Sequence, residues 1–239
     1  MNQKESLISP ETLFGDYLQT VINLMADHSP FPWAKSDLFS KNAKLRAARI
    51  HVDEAVFLGQ VTYQDLRPIR TVEVCAGLGI PSITMSKLFG VKGICVDSDP
   101  EGMAIGARIC KKLGIELSWK QMDLFVYLRK NAPDLKGTTL ILTAAYCRDK
   151  KKGRPMGTGE RDLVNFAKNN QMNLGILPFR TKDIITKGFP SEKKRIEEYE
   201  KILKEAGYLV KKHSTQILFQ GQGAPDWFFL DILTAKGNF

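Results

Sequence analysis

The residues best suited to bind a ligand lie in the segment Thr71-Val-Glu-Val-Cys-Ala-Gly-Leu-Gly-Ile-Pro-Ser82. Gly77 and Gly79 permit the positive φ angles and the close backbone approach that a ligand-binding turn requires. Pro81 suits the first turn of a helix, whose free N–H groups would point at whatever the turn holds. Glu73 ends the preceding strand, where a carboxylate would face a cationic ligand. The segment therefore predicts a strand, a binding turn and a helix.

Two further acids follow at the ends of the next two predicted strands. Asp97 closes the apolar run Val91-Lys-Gly-Ile-Cys-Val-Asp97, where a carboxylate can accept hydrogen bonds from ribose hydroxyls. Asp123 follows a third short strand, in Gln121-Met-Asp-Leu-Phe125. Three acids at three successive strand ends, in order with the glycine turn, favour a site for a nucleoside-containing ligand.

This arrangement resembles motif I and the acids after it in the class I S-adenosylmethionine (SAM)-dependent methyltransferases, whose pattern is an acid, three residues and Gly-x-Gly. The resemblance implies SAM as cofactor, with Gly77 and Gly79 at its methionine part and Glu73 at its ammonium through water. It also implies contacts of Asp97 with the ribose and of Asp123 with the adenine. The adjoining residues that complete the predicted cofactor site are Ala76, Ser98 and Leu124.

Two alternative interpretations of the same residues remain at this point. The acids could merely cap helices of a Rossmann-like domain. An NAD site is less favoured, because Ser82 replaces the third glycine of the dinucleotide pattern. Glu73 would also lie badly beside a pyrophosphate.

The elements that position these residues are predicted from Ile69 onward, where strands alternate with helices as in a parallel sheet covered on both faces. After the first strand, the predicted strands are 91–97, 117–120, 138–145, 172–178, 208–219 and 227–235. The predicted helices are 82–89, 100–113, 159–169 and 192–206. The last two strands are close enough in sequence to pair antiparallel. We expect an α/β fold with a doubly wound, seven-stranded, mostly parallel sheet and a terminal antiparallel hairpin.

Residues 1–68 are predicted to form a small helical cap before a Rossmann-like SAM-binding domain at 69–239. Ser9 and Pro10 suit a helix start, and apolar residues recur behind them at helical spacing. Two shorter helices are expected near 36–50 and 52–59. Such helices often cover the acceptor pocket of small-molecule methyltransferases.

The segment after the fourth strand should face the transferred group and the acceptor, because ligands bind where the strand order reverses. Tyr146 is the first catalytic candidate, either orienting an acceptor or stabilising the sulfonium with its ring, unless it only packs. Asp149 is a candidate general base or a solvated loop acid. Cys147 lacks the Pro-Cys context of cytosine methylases, which favours an inert thiol. Five nearby cations suggest an anionic substrate or a solvated loop: Arg148, Lys150, Lys151, Lys152 and Arg154.

Composition and net charge indicate which kinds of partner and which cellular location to expect. The 35 basic and 26 acidic residues of the 239 give a net charge of +9, which is compatible with RNA as a partner but does not establish it. No apolar run approaches the roughly 20 residues of a membrane span, and the N-terminus lacks the apolar core of a signal peptide. The four cysteines are scattered and the three histidines lie far apart, so we expect reduced thiols, no metal site and a cytoplasmic protein.

The leading functional hypothesis is SAM-dependent methyl transfer to a small molecule, for which an anionic acceptor is one option. The net charge leaves methylation of rRNA or tRNA as an alternative. Transfer of the aminocarboxypropyl group, as in enzymes of the nicotianamine-synthase kind, is another. The sulfonium has three electrophilic carbons, and the segment after the fourth strand lacks the Asn-Pro-Pro-Tyr type of motif found in many methylases of base amino groups. The oligomeric state and the acceptor are not predicted.

Overall fold

A computed structural model describes residues 7–28, 37, 40–142, 158–183, 190–219 and 226–239. The strands are β1 (Arg70–Val74), β2 (Lys92–Asp97), β3 (Ser118–Gln121), β4 (Thr139–Leu142), β5 (Asn173–Asp183), β6 (Tyr208–Phe219) and β7 (Asp226–Gly237). The helices are α1 (Pro10–Phe14), α2 (Leu18–His28), α3 (Lys41–Leu66), α4 (Ile80–Phe89), α5 (Pro100–Leu113), α6 (Leu124–Asn131), α7 (Thr158–Asn169) and α8 (Pro190–Glu205).

The seven strands form a single sheet in the order β3-β2-β1-β4-β5-β7-β6. The first five strands pair parallel, and β7 pairs antiparallel with both β5 and β6. The predicted fold class and the terminal antiparallel hairpin are therefore confirmed. Because β1 lies between β2 and β4, the strand order reverses there, and the carboxyl end of β1 opens onto the crevice where ligands of α/β sheets bind.

Both faces of the sheet are buried, as expected for parallel strands between two helical layers. In β4, Leu140 and Leu142 join a core formed with α6, α7 and α8. Ile141, which points to the other face, packs with Leu58 of α3 and Met85 of α4. This alternation places α3, α4 and α5 on one face of the sheet, together with Glu73, the residue of β1 that pairs with Ile141.

The prediction of two shorter helices near 36–50 and 52–59 was wrong, because the single helix α3 spans this region from Lys41. It runs unbroken from Lys41, after its cap residue Ser40, to Leu66, and the residue that follows, Arg67, has a φ of 45°. The sequence between residues 50 and 52 contains no proline or glycine that would break it. Gly59 does not end the helix but allows close packing, because a Cβ there would lie 2.8 Å from the Pro81 carbonyl oxygen of α4.

The C-terminal half of α3 covers part of the sheet. A Cβ added to Gly175 of β5 would lie 2.5 Å from Thr62 Oγ1, so helix and strand are in direct contact. Helices α1 and α2 pack against α3, α4 and α5. At the end of α2, His28 Nδ1 lies 2.6 Å from Glu101 Oε1 at the start of α5. The division of the chain into a cap at 1–68 and a SAM-binding domain at 69–239 stays a prediction.

The predicted start of the first helix is confirmed, since Ser9 Oγ accepts from the Thr12 N–H at 3.4 Å. A 3₁₀ turn at Gly15–Tyr17, which the periodicity did not reveal, separates α1 from α2. Across the described residues, no helix combines the length and the apolar character needed to cross a bilayer.

Candidate cofactor site

The turn after β1 is built on three alternating residues with positive φ. These angles are 52° at Cys75, 52° at Gly77 and 67° at Gly79. The Ala76 N–H donates to the Val96 carbonyl at 3.2 Å, and the Gly79 N–H donates to the Ala76 carbonyl at 2.7 Å. The predicted glycine turn is thus a tight reversal that joins β1 directly to α4.

Cys75 was not recognised from the sequence as part of this turn. A side chain at positive φ costs about 1–3 kcal/mol, and such strain is concentrated at binding sites. The signal that could have revealed it is spacing, because Cys75 precedes Gly77 by the same two residues that separate Gly77 from Gly79.

The start of α4 is tied to the acid of β1. Gly79 is the cap residue of α4, and Pro81 occupies the first helical turn as predicted. The Ser82 N–H donates to Glu73 Oε2 at 3.0 Å. Ser82 is buried, and a Cβ added to Gly93 of β2 would lie 3.3 Å from its Cβ. The small side chain at position 82 thus allows α4 to pack closely against β2.

Glu73 is fully buried, and its second carboxylate oxygen, Oε1, has no hydrogen-bond partner in the described part of the chain. Burial raises the pKa of Glu73 to about 7; the Ser82 contact lowers this pKa, whereas the negative charge of Asp97 adds to the rise. A buried carboxylate with one unsatisfied oxygen can take up a cationic or hydrogen-bond-donating group near the turn.

Asp97 holds together the two backbone segments at the ends of β1 and β2. Its Oδ2 accepts from the Gly77 N–H at 2.7 Å, and its Oδ1 accepts from the Asp99 N–H at 2.9 Å. A carboxylate oxygen can accept more than one hydrogen bond, so these contacts leave capacity for ligand hydroxyls. Asp97 is half-buried and the adjacent Ser98 is exposed.

Asp123 is exposed and caps α6. Its Oδ1 accepts from the Phe125 and Val126 N–H groups at 2.9 and 3.0 Å. Leu124, the first residue of α6, is half-buried. The helix-capping interpretation therefore describes what Asp123 does in this structure, and its contact with adenine stays a prediction.

The two catalytic candidates, Tyr146 and Asp149, lie outside the described residues, as do Cys147 and the cations from 148 to 154. Their roles stay predictions. The pairing of β4 with β1 extends to Leu142, opposite Val74, so the strand that precedes this segment ends beside the glycine turn.

The residues gathered here suit SAM. Gly77 is buried, yet a Cβ added to it would have no described atom within 4 Å, so the described residues leave open space beside its backbone. The N-terminus of α4 and the Asp97 carboxylate border the same turn, which brings N–H donors and an acceptor to one place. Glu73, at the end of the strand that leads into this turn, has an oxygen without a hydrogen-bond partner among the described residues, and its contact with the cofactor stays a prediction.

Comparison with solved structures shows that methyltransferases share this fold. A precorrin-6y C5,15-methyltransferase from Geobacter metallireducens GS-15 superimposes with a TM-score of 0.52 at 13% identity, over 85% of this chain and 91% of the other. A SAM-dependent methyltransferase from Agrobacterium tumefaciens gives a TM-score of 0.52 at 12% identity, over 78% of this chain and 61% of the other. The sequence matches no protein-family model, and no curated protein sequence matches it. The chain has the fold of these methyltransferases.

Proposed function

We propose that the chain is a SAM-dependent methyltransferase acting on a small-molecule acceptor. The observation that carries this proposal is the turn with positive φ at residues 75, 77 and 79, which is bound to Asp97 and followed by a helix whose first turn is bound to the buried Glu73. The turn, the two acids and the helix N-terminus meet at the strand-order reversal, where ligands of this architecture bind.

The roles of the residues follow from their contacts. The open space beside Gly77 would receive the amino-acid part of SAM, and Glu73 would contact its ammonium through water. Asp97 would accept from the ribose hydroxyls while still holding the Gly77 N–H. Ala76, Gly79 and Ser98 would line the same site, and Asp123 with Leu124 would border the adenine.

When bound, SAM supplies a methyl group on a sulfonium that is already activated for in-line displacement. The chain then has to align the acceptor and exclude water rather than to provide a strong nucleophile. Tyr146 and Asp149, which follow β4, are the residues proposed to orient and deprotonate the acceptor.

A small-molecule acceptor is supported by the way the N-terminal helices are placed. The pair between His28 and Glu101 brings the end of α2 to the start of α5, within a few residues of Asp97. Helical cover on this side of the sheet suits a pocket for a small acceptor better than an open groove for RNA. The cations at 148–154 favour an acceptor that carries phosphate or carboxylate. We also propose a cytoplasmic location, where SAM and reduced thiols are found together.

The experiment that tests this function is mass spectrometry of the nucleoside released from SAM, with cell extract divided into small-molecule and RNA fractions. S-adenosylhomocysteine formed with the small-molecule fraction supports the proposal. The same product formed only with the RNA fraction would mean that the acceptor is RNA and not a small molecule. Methylthioadenosine would mean that the aminocarboxypropyl group is transferred, and the methyltransferase assignment would be wrong.

A further inference from the structure

Helix α5 carries two glycines on its buried side, one helical turn apart. Gly102 and Gly106 are both buried, whereas Ala104 between them is exposed. Glycine inside a helix lowers its stability relative to alanine, so two of them on one face indicate that another part of the chain must come close.

The part that comes close is the backbone of the turn after β1. A Cβ added to Gly102 would lie 3.4 Å from the Gly77 carbonyl carbon and 3.1 Å from Asp99 Oδ2. A Cβ added to Gly106 would lie 2.7 Å from the Leu78 carbonyl oxygen. Helix α5 therefore packs directly against the two residues that lead to the start of α4.

Trp119 of β3 completes this packing. A Cβ on Gly106 would overlap the Cη2 atom of the indole, and a Cβ on Gly79 would lie 2.8 Å from the same atom. The indole ring thus lies between the turn and α5, where it packs with the apolar core of α2, α4 and α5. The turn after β1, strand β3 and helix α5, which are distant in sequence, therefore meet at this ring.

We propose that Gly102, Gly106 and Trp119 are positioning residues for the cofactor site, which they influence by fixing the backbone of residues 77–79. This inference rests on the proposed SAM function, because it gives these residues a part in SAM affinity. The residues act through the turn: Gly102 limits how far Gly77 can move, while Gly106 and the indole limit Leu78 and Gly79.

The two glycines should respond differently to alanine. Gly106→Ala must displace both the Leu78 carbonyl and the indole of Trp119, since the added carbon would lie too close to each of them. We expect it to weaken SAM binding at least ten-fold. Gly102→Ala requires shifts of only a few tenths of an ångström, and we expect a loss of about three-fold or less.

A matched control separates this effect from general damage to the core. Gly175→Ala places a Cβ 2.5 Å from Thr62 Oγ1 and 3.1 Å from Ile141 Cδ1, on the face covered by α3 and away from the turn. It should lower the melting temperature while leaving the SAM affinity of the folded protein within two-fold of wild type.

The experiment is calorimetric titration of SAM into the wild type and the three variants, with hydrogen exchange of the peptide covering 75–80 measured without ligand. Faster exchange and at least ten-fold weaker binding in Gly106→Ala, with normal binding in Gly175→Ala, support the proposal. Wild-type affinity in a folded Gly106→Ala protein overturns it. If the wild type itself binds no SAM, the proposed function fails. The positioning role is then tested by hydrogen exchange of the peptide 75–80 alone, and unchanged exchange in both Gly102→Ala and Gly106→Ala overturns it.

Discussion

The Gly77 N–H donates a hydrogen bond of 2.7 Å to Asp97 Oδ2, and this bond ties the turn after β1 to the end of β2. The same carboxylate accepts from the Asp99 N–H just before α5. One side chain therefore holds the two backbone segments between which the proposed cofactor would bind. Its loss should alter the shape of the site as well as remove a ligand contact.

Replacing Asp97 by alanine should weaken SAM binding more than replacing it by asparagine. Hydrogen bonds to a charged group contribute about 1.5–3 kcal/mol, so the loss of both backbone bonds and of the ribose contact predicts a drop of about 100-fold for Asp97→Ala. Asparagine keeps one acceptor oxygen and should lose about 10-fold. Calorimetric titration measures both. Glu116→Ala, which removes an exposed acid, is the control, and equal affinities in all four proteins would contradict the assignment.

Glu73 should make the stability of the fold depend on pH. Its pKa is raised by burial from 4.5 to about 7, so between these values the unfolded chain loses a proton that the folded chain retains. The free energy of unfolding should therefore fall as pH rises from 4.5 to 7, by about 3 kcal/mol from this group.

The variant Glu73→Gln isolates this effect, because its amide oxygen can still accept from the Ser82 N–H. Urea unfolding at several pH values should show the variant more stable than the wild type at pH 8, with the difference shrinking toward pH 5. An identical pH slope in the two proteins would show that Glu73 does not titrate in this window.

Cys75 allows the conformational strain of the turn to be measured. Cys75→Gly and Cys75→Ala both remove the thiol, but only glycine adopts a φ of 52° without a steric penalty. We expect the glycine variant to be more stable than the alanine variant by about 1 kcal/mol, measured by chemical denaturation. Greater stability of the alanine variant would mean that the turn has another conformation in solution.

The sequence was sufficient to predict the features that depend on local signals. The glycines at 77 and 79 located the turn, Pro100 and Leu113 bounded α5 correctly, and the spacing of the last two strands predicted their antiparallel pairing. These predictions succeeded because turn chemistry, helix capping and short connections are encoded within a few residues.

The features that were missed depend on contacts between distant parts of the chain. Gly59 resembles a helix end in sequence, but it lies inside α3 and packs closely against Pro81 of α4. The packing of Gly106 against Leu78 and Trp119 involves three separate elements, so no local pattern reveals it. For Asp123 the local pattern is visible but ambiguous. Its position after a strand predicts a cofactor contact and a helix cap equally well, and the structure shows the cap.

Asp65 of α3 joins the helix to the terminal hairpin and should stabilise the fold. Its carboxylate accepts from Thr234 Oγ1, from Lys211 Nζ at 3.1 Å and from His213 Nε2 at 2.5 Å. Burial raises the pKa of Asp65, but these three contacts together outweigh burial and leave the pKa lowered from 3.8. The stabilisation is therefore present above pH 3.8 and lost as pH falls through the folded-state pKa.

In chemical denaturation at pH 7, Asp65→Ala should lower the free energy of unfolding by about 2 kcal/mol, because it leaves the buried Thr234 hydroxyl and the half-buried His213 ring without this acceptor. Lys211→Ala is the matched comparison. The Lys211 side chain is 68% exposed, so its loss should cost less than about 1 kcal/mol. Equal losses in the two variants would contradict a central role for Asp65.

The most direct test of the central claim is calorimetric titration of the wild-type chain with SAM, compared with NAD under the same conditions. The turn at 75–79, the buried Glu73 and the Asp97 carboxylate predict saturable binding of one SAM per chain and no binding of NAD. Binding of NAD in place of SAM, or no saturable binding of SAM, would contradict the assignment of this site.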